Sequence, residues 1–279
     1  MKITIIGLGL IGGSFGLTLK ARDNSTWRIG VDDNPDHCAQ ALTLGLVDEI
    51  HTIDEAIKKS DLIILATPVH AIEKLLPTIL DEVENQVVMD AGSTKDAISK
   101  SVKNHPKRSR FVATHPMWGT EFSGPSAAMP DAFRNKATVI CDKEGSDADA
   151  VKLVEDLYRE LGMHIIYMNS DAHDIHVAYV SHISHITSFA LANTVLEKER
   201  EEDTIFELAS GGFESTVRLA KSNPLTWASI FMQNRDNVLD VLNEHIHQLK
   251  KFKACLEKEN LEYLEDLMVH ANDIKRILK

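Results

Sequence analysis

Short apolar runs alternate with amphipathic stretches through the first 169 residues. Lys2–Ile6, Arg28–Val31, Leu62–Ala66, Val87–Asp90, Phe111–Thr114, Ala137–Cys141 and Ile165–Met168 each read as a strand. Between them, stretches such as Asp54–Lys59, Ala71–Leu80 and Asp147–Leu161 place apolar residues at helical steps. Strands separated by helices predict βαβ units and a mostly parallel sheet.

After Asn169 the pattern becomes helical throughout. Asp171–Leu196 reads as one helix, with Ile175, Ala178, Tyr179, His182, Ile186 and Phe189 along one side. The charge run Glu197–Asp203 reads as a solvated helix end. Thr226–Leu256 reads as one long helix, and Asn260 caps a last one carrying Leu261 to Leu278. A continuous helix over 226–256 would span roughly 46 Å at 1.5 Å per residue. A compact domain of about 110 residues is about 35 Å across. The overhanging apolar stripe predicts a partner, hence a homodimer; the alternative is a break near Asn243 with two helices folded back. The expected organisation is residues 1–169 as a nucleotide-binding α/β domain and 170–279 as an all-α domain for substrate binding and dimerisation.

Composition narrows the classes. The chain is 43% hydrophobic with 30 basic and 42 acidic residues, a formal charge of -12. It is too apolar for a disordered chain and too acidic for nucleic acid or an anionic membrane to be its main partner. The glycine-rich start has no signal-peptide cleavage pattern, and no apolar run is long enough to span a bilayer. Cys38, Cys141 and Cys255 form no CxxC and read as reduced thiols of a cytoplasmic protein.

The sharpest motif is Gly7-Leu8-Gly9-Leu10-Ile11-Gly12, directly after a strand and opening a helix. Gly7 permits the tight turn, Gly9 lets a pyrophosphate approach the backbone, and Gly12 allows close packing in a Rossmann-type fold. Asp32 stands 20 residues past Gly12, where an acid meets the ribose hydroxyls of NAD; Asp33 adds charge and no Arg follows closely. The expected cofactor is therefore NAD. Thr67-Pro68 and Ser93 follow other strands and belong to the same ligand edge; capping of the next helices is the alternative for both, and for Thr67 the two readings weigh equally.

His115 follows Phe111–Thr114 and precedes Pro116, which favours extended backbone at the histidine. A neutral histidine there can accept a proton from an alcohol as hydride leaves; an ordinary core or surface role is the alternative. His182 and His185 share a helix face and are candidates for substrate binding; the alternatives are ordinary interior residues or two ligands of a metal, for which no third ligand is suitably spaced. Arg218, near Ser210-Gly211-Gly212, is a natural fork for a carboxylate, while Arg200 sits inside the charge run.

GLGLIGGS, ATP at Ala66–Pro68, DAGSTK at Asp90–Lys95, HPMWGTEFSG at His115–Gly124, SHISH at Ser181–His185 and GGFESTVRLAKSNPLTW at Gly211–Trp227 occur in that order. Together they resemble the prephenate/arogenate dehydrogenases of tyrosine biosynthesis over essentially the whole chain. The resemblance implies oxidative decarboxylation of prephenate to 4-hydroxyphenylpyruvate with NAD+, in an intertwined homodimer. It implies that His115 takes the ring-hydroxyl proton, Ser93 orients it, and Arg218 holds a carboxylate. It places His185, Thr120, Glu121 and Trp227 at the substrate. Ser215 departs from members that carry an aspartate in an ionic gate with the Glu121 and Arg218 positions, and no regulatory ACT or chorismate mutase segment is recognised. Competing readings are arogenate as substrate, a β-hydroxyacid-type dehydrogenase or imine reductase using Lys221, and a non-catalytic NAD-sensing module.

Overall fold

Alternation along the strands decides the architecture. In β1 (Lys2–Ile6), Ile3 and Ile5 enter one core cluster while Ile6 enters another. In β4 (Leu62–Leu65), Leu62 and Ile64 take the first side and Ile63 and Leu65 the second. A sheet apolar on both faces needs helices on both, the doubly wound arrangement. The computed structural model describes residues 1–23, 25–199 and 205–277.

The remaining strands are β2 (Trp27–Val31), β3 (Glu49–Ile50), β5 (Val87–Asp90), β6 (Phe111–Pro116), β7 (Ala137–Cys141) and β8 (His164–Met168). They form one sheet in the order β3-β2-β1-β4-β5-β6-β7-β8. All neighbours are parallel except β6 with β7. Every predicted strand is present; the two-residue β3 is too short to leave a periodic signal. The α1 (Leu10–Arg22), α2 (Pro35–Thr43), α3 (Ile53–Lys59), α4 (Val69–Glu82), α5 (Asp96–Ser101) and α6 (Ala148–Glu160) helices connect them.

Two compact units emerge, Met1–Asn234 and Arg235–Lys279. The first also contains α7 (Ser170–Val177), α8 (Ile183–Glu199), α9 (Gly211–Val217) and α10 (Pro224–Gln233). The second holds α11 (Arg235–Glu257) and α12 (Leu261–Ala271). Asn260 caps α12 through an acceptor contact from the Tyr263 amide at 3.1 Å. Arg200 and the rest of the charge run to Asp203, like Leu278, lie outside the described residues.

Two helical expectations need correction. Asp171–Leu196 is not one regular helix: a π-helical segment, Ala178–His182, separates α7 from α8. Its buried side carries His173, Asp174, Val177, Ala178 and His182, whereas Ile175 and Tyr179 are exposed. Nor is Thr226–Leu256 continuous. It breaks at Asn234, a buried residue whose side chain donates to the Asp174 carbonyl at 2.7 Å. That tertiary bond competes with helical geometry at a residue of low helix propensity. No single helix over 226–256 is therefore present to overhang its domain.

One buried ion pair fixes the sheet edge. Asp90 ends β5, and its carboxylate accepts from the Lys95 ammonium, from the Gly92 amide at 2.9 Å and from the Thr114 amide at 3.0 Å. Lys95 also donates to the Thr114 carbonyl at 2.7 Å. Both side chains are fully buried. The pair folds the 91–95 loop back onto β6 and pins both polar backbone groups of the residue before His115. Removing one partner of such a pair strands a buried charge. Lys95→Met is expected to cost about 3–5 kcal/mol in denaturant unfolding; a change below about 1 kcal/mol would mean that the pair does not hold this edge.

Candidate active site

The parallel pairing of β1, β4, β5 and β6 brings their carboxyl ends to one edge of the sheet. Gly7 opens the loop there with φ of +96°, and its amide donates to the Val31 carbonyl at 2.8 Å. A Cβ on Gly12 would overlap the Gly7 carbonyl oxygen, so close packing demands glycine. A Cβ on Gly9 would meet nothing within 4 Å. The protein's own packing therefore does not require glycine at that position; an approaching ligand would. Gly9 caps α1 without a side-chain hydrogen bond, leaving the first helical amides for an anion. Leu8, Leu10 and Ile11 complete this turn and the start of α1.

Asp32 lies just past β2. Its carboxylate accepts from the Leu8 amide at 2.8 Å and the Asn34 amide at 2.9 Å, which seats it against the glycine loop. Thr67, just after β4, has a buried hydroxyl with no partner. Pro68, not Thr67, is the N-cap of α4. The open Gly9 face, the free amides of α1, the seated acid and the orphaned hydroxyl fit a dinucleotide.

Ser93 and His115 stand at adjacent strand ends. Lys95 is the N-cap of α5, so Ser93 does not cap it. Among the described residues, the Ser93 hydroxyl has no hydrogen bond. His115 is partly buried in β6, and its Nδ1 lies 2.9 Å from Nε2 of His173. His173 Nδ1 lies 2.7 Å from the Asp174 carboxylate. Burial, reinforced by His173, Lys95 and His182, pushes the His115 imidazole well below its ordinary 6.5, so the ring is neutral.

The helices α7 to α10 close over this edge. The π segment inserts His182, 1% exposed, against the Asn234 side chain at 3.2 Å. His185 donates from Nδ1 to the Ser181 carbonyl at 3.1 Å and stacks on Trp227 at 3.3 Å between ring centroids. Burial lowers both His182 and His185 to about 4. Arg218, half exposed, pairs with Glu121 at 2.8 Å. The Glu121 carboxyl is held below its ordinary value by its own backbone amide and by Arg218. Thr120 is partly buried beside it and accepts from the Phe122 amide at 3.3 Å. Ser215 bonds the Gly212 carbonyl at 2.9 Å and does not join the Glu121–Arg218 pair. Trp227 and its helix α10 are tied in through Gln233, which bonds both Thr94 and Glu73. No cluster of three or more potential metal ligands occurs among the described residues.

Sequence reasoning missed His173, Asp174, Asn234 and the Asp90–Lys95 pair. A signal existed for the first two: adjacent His and Asp open a helix whose buried side is otherwise Val177, Ala178 and His182. The apolar periodicity through Ile175 and Tyr179 pointed to the opposite face.

Neutral buried histidines make stability depend on pH. Between pH 6.5 and about 4 the unfolded chain protonates His182 and His185 while the folded chain does not. The unfolded state then binds more protons, so stability falls as pH falls through that window. Each histidine contributes a slope of at most about 1.4 kcal/mol per pH unit. Replacing both with Gln is expected to flatten the slope of unfolding free energy against pH; an unaltered slope would show that they titrate normally.

Two family models match the chain: "Prephenate dehydrogenase, nucleotide-binding domain" over residues 15–167, and "Prephenate dehydrogenase, dimerization domain" over residues 169–270. The chain is 31% identical to prephenate dehydrogenase of Bacillus subtilis, covering 99% of this chain and 76% of that relative. It superposes on the A. aeolicus prephenate dehydrogenase, solved with hydroxyphenyl propionate and NAD+, with a TM-score of 0.90 at 28% identity over 99% of this chain and 97% of that one. Synechocystis arogenate dehydrogenase gives 0.77 at 26% identity, with 100% of both chains covered. From the glycine turn to the helices that carry Arg218 and Trp227, the chain belongs to the prephenate dehydrogenase family.

Proposed function

We propose that the protein catalyses the NAD-dependent oxidative decarboxylation of prephenate to 4-hydroxyphenylpyruvate, in a homodimer in the cytoplasm. One observation carries the reading: a partly buried, neutral His115 at a strand end adjacent to the one followed by the unpartnered Ser93 hydroxyl, at the edge where the glycine loop offers its amides. Gly7 to Gly12, Asp32, Thr67, Pro68 and Ser93 would hold the cofactor. Bound NAD+ supplies the hydride acceptor. The rest is done by the chain. Ser93 orients the substrate hydroxyl, and His115 takes its proton. Arg218 exchanges Glu121 for a substrate carboxylate. His185 and Trp227 provide a flat wall with Thr120 at its rim, and His182 supports that wall from within. Aromatisation supplies the driving force, so positioning and one proton acceptor suffice.

The match of residues 169–270 to a dimerization domain supports the homodimer. So do Leu249, Leu256 and Val269, exposed apolar residues of α11 and α12. We place the division between nucleotide-binding and helical domains at 169/170, in keeping with the two family models. The three free cysteines suit a reducing compartment, and burial raises the Cys141 thiol to about 12, well away from reactivity.

Arogenate is the second reading, favoured by Glu121. Its carboxylate is ionised beside Arg218, where an ammonium on the substrate side chain would find an acceptor. NADH formation from prephenate and from arogenate, each with NAD+ and NADP+, separates the readings. The expected result is the highest kcat/KM with prephenate and NAD+. Turnover of neither substrate would return the protein to another dehydrogenase class or to a sensing role.

Variants assign the parts. His115→Asn is expected to lower kcat by about 10²- to 10⁴-fold with NAD binding retained. Arg218→Ala is expected to raise KM roughly tenfold or more. Because burial lowers His115, protonation should switch the enzyme off only below pH 6.5. A kcat/KM limb at or above 6.5 would remove His115 as the base.

A further inference from the structure

Asp174 is anchored from two sides. One carboxylate oxygen accepts the Lys95 amide at 2.8 Å, and the other accepts the Asp96 amide at 3.0 Å. Both oxygens are therefore committed as acceptors. The group facing them, Nδ1 of His173 at 2.7 Å, must carry hydrogen. Burial holds His173 below its ordinary value, so the ring is neutral and its Nε2 bears a lone pair. That lone pair faces Nδ1 of His115 at 2.9 Å, which must donate. The one nitrogen of His115 left without hydrogen is Nε2. His173 is fully buried and Asp174 2% exposed, so water cannot compete for these positions.

Resting on the functional reading above, we propose that His173 and Asp174 form a positioning relay for His115. The relay fixes the Nδ1–H tautomer, makes Nε2 the atom that takes the substrate proton, and shares the charge the proton brings. As the hydroxyl proton moves to Nε2, its O–H electron pair stays on oxygen and the His115 ring becomes an imidazolium. No proton has to leave Nδ1. The Nδ1–H···Nε2 and Nδ1–H···carboxylate bonds become charge-assisted and strengthen. The surroundings otherwise oppose this charge. A charged His173, Lys95 and His182 each disfavour the His115 cation; His173 is itself held neutral by burial and so acts as a hydrogen-bond acceptor, and the Asp90 charge is engaged by Lys95. Asp174 reaches the ring through His173, and is the counter-charge that acts through a hydrogen bond.

Asp174 also ties two backbone amides, so its removal threatens the loop itself; His173 is the better probe. His173→Gln can place an amide oxygen where Nε2 stood, keeping an acceptor for His115 while cutting the link to Asp174. His173→Leu removes both. With prephenate and NAD+, kcat is expected to fall about 100-fold or more in His173→Leu, with KM changed little and a partial recovery in His173→Gln. The acid limb of the pH profile should move lower in His173→Leu, because the His115 cation loses its support. Wild-type kcat and an unmoved limb in His173→Leu would overturn the relay. A substrate-independent measurement keeps the two proposals apart. Nitrogen-15 NMR of histidine-labelled, ligand-free protein near neutral pH should show His115 and His173 both protonated at Nδ1 and bare at Nε2. His115 protonated at Nε2 would overturn the relay whatever the enzyme turns over. Failure on every cyclohexadienyl substrate, with the Nδ1–H tautomers present, would refute the functional reading alone.

Discussion

The buried Asp90–Lys95 ion pair is the constraint on which the site depends. Asp90 closes β5, Lys95 opens α5, and both reach the backbone of Thr114 on β6. Such a pair is costly to desolvate and is retained only where its hydrogen bonds are complete. Here they are complete, and what they specify is geometry. The loop that carries Ser93 and the strand that carries His115 are held in one register. The same loop presents the Lys95 and Asp96 amides to Asp174, so the acid from α7 docks onto scaffold that the ion pair has already set. Three elements distant in sequence thereby converge on one imidazole.

The electrostatics follow a consistent division. The chain as a whole is acidic, at -12, yet its inferred ligands are anions. Attraction has to be local. At one end it comes from helix-terminal amides beside Gly9, which carry partial charge without a titratable group. At the other it comes from Arg218, whose charge is already matched by Glu121. Between them lies a strip of histidines held neutral by burial. A neutral strip leaves the proposed proton acceptor unprotonated without adding a field that would bind product as tightly as substrate.

Much of this was legible in the sequence, and the unread part has a common cause. The strands showed because a sheet buried on both faces is written in nearly continuous apolar runs, as in Leu62–Leu65. The glycine turn showed because its steric demands leave a fixed spacing. His115, Ser93 and Arg218 could be singled out because each follows a strand or a glycine turn. His173 and Asp174 could not, since their burial runs against the usual meaning of polar residues in a helix. The break at Asn234 was hidden for the same reason: it is made by a hydrogen bond to a carbonyl 60 positions away, and periodicity carries no record of such a partner.

The π segment Ala178–His182 has a consequence beyond local shape. A single extra residue in a helical turn rotates everything downstream by about 100° relative to everything upstream. His173 and Asp174 lie before the segment; His185, on its stack with Trp227, lies after it. One helical stretch thus reaches two places with a phase offset that a regular helix would not give: His115, through His173, and the His185–Trp227 stack. The arrangement also resists gradual change. Losing that residue would not trim the helix but would turn one centre away from the other, and would turn with it the buried His182 that lies between them.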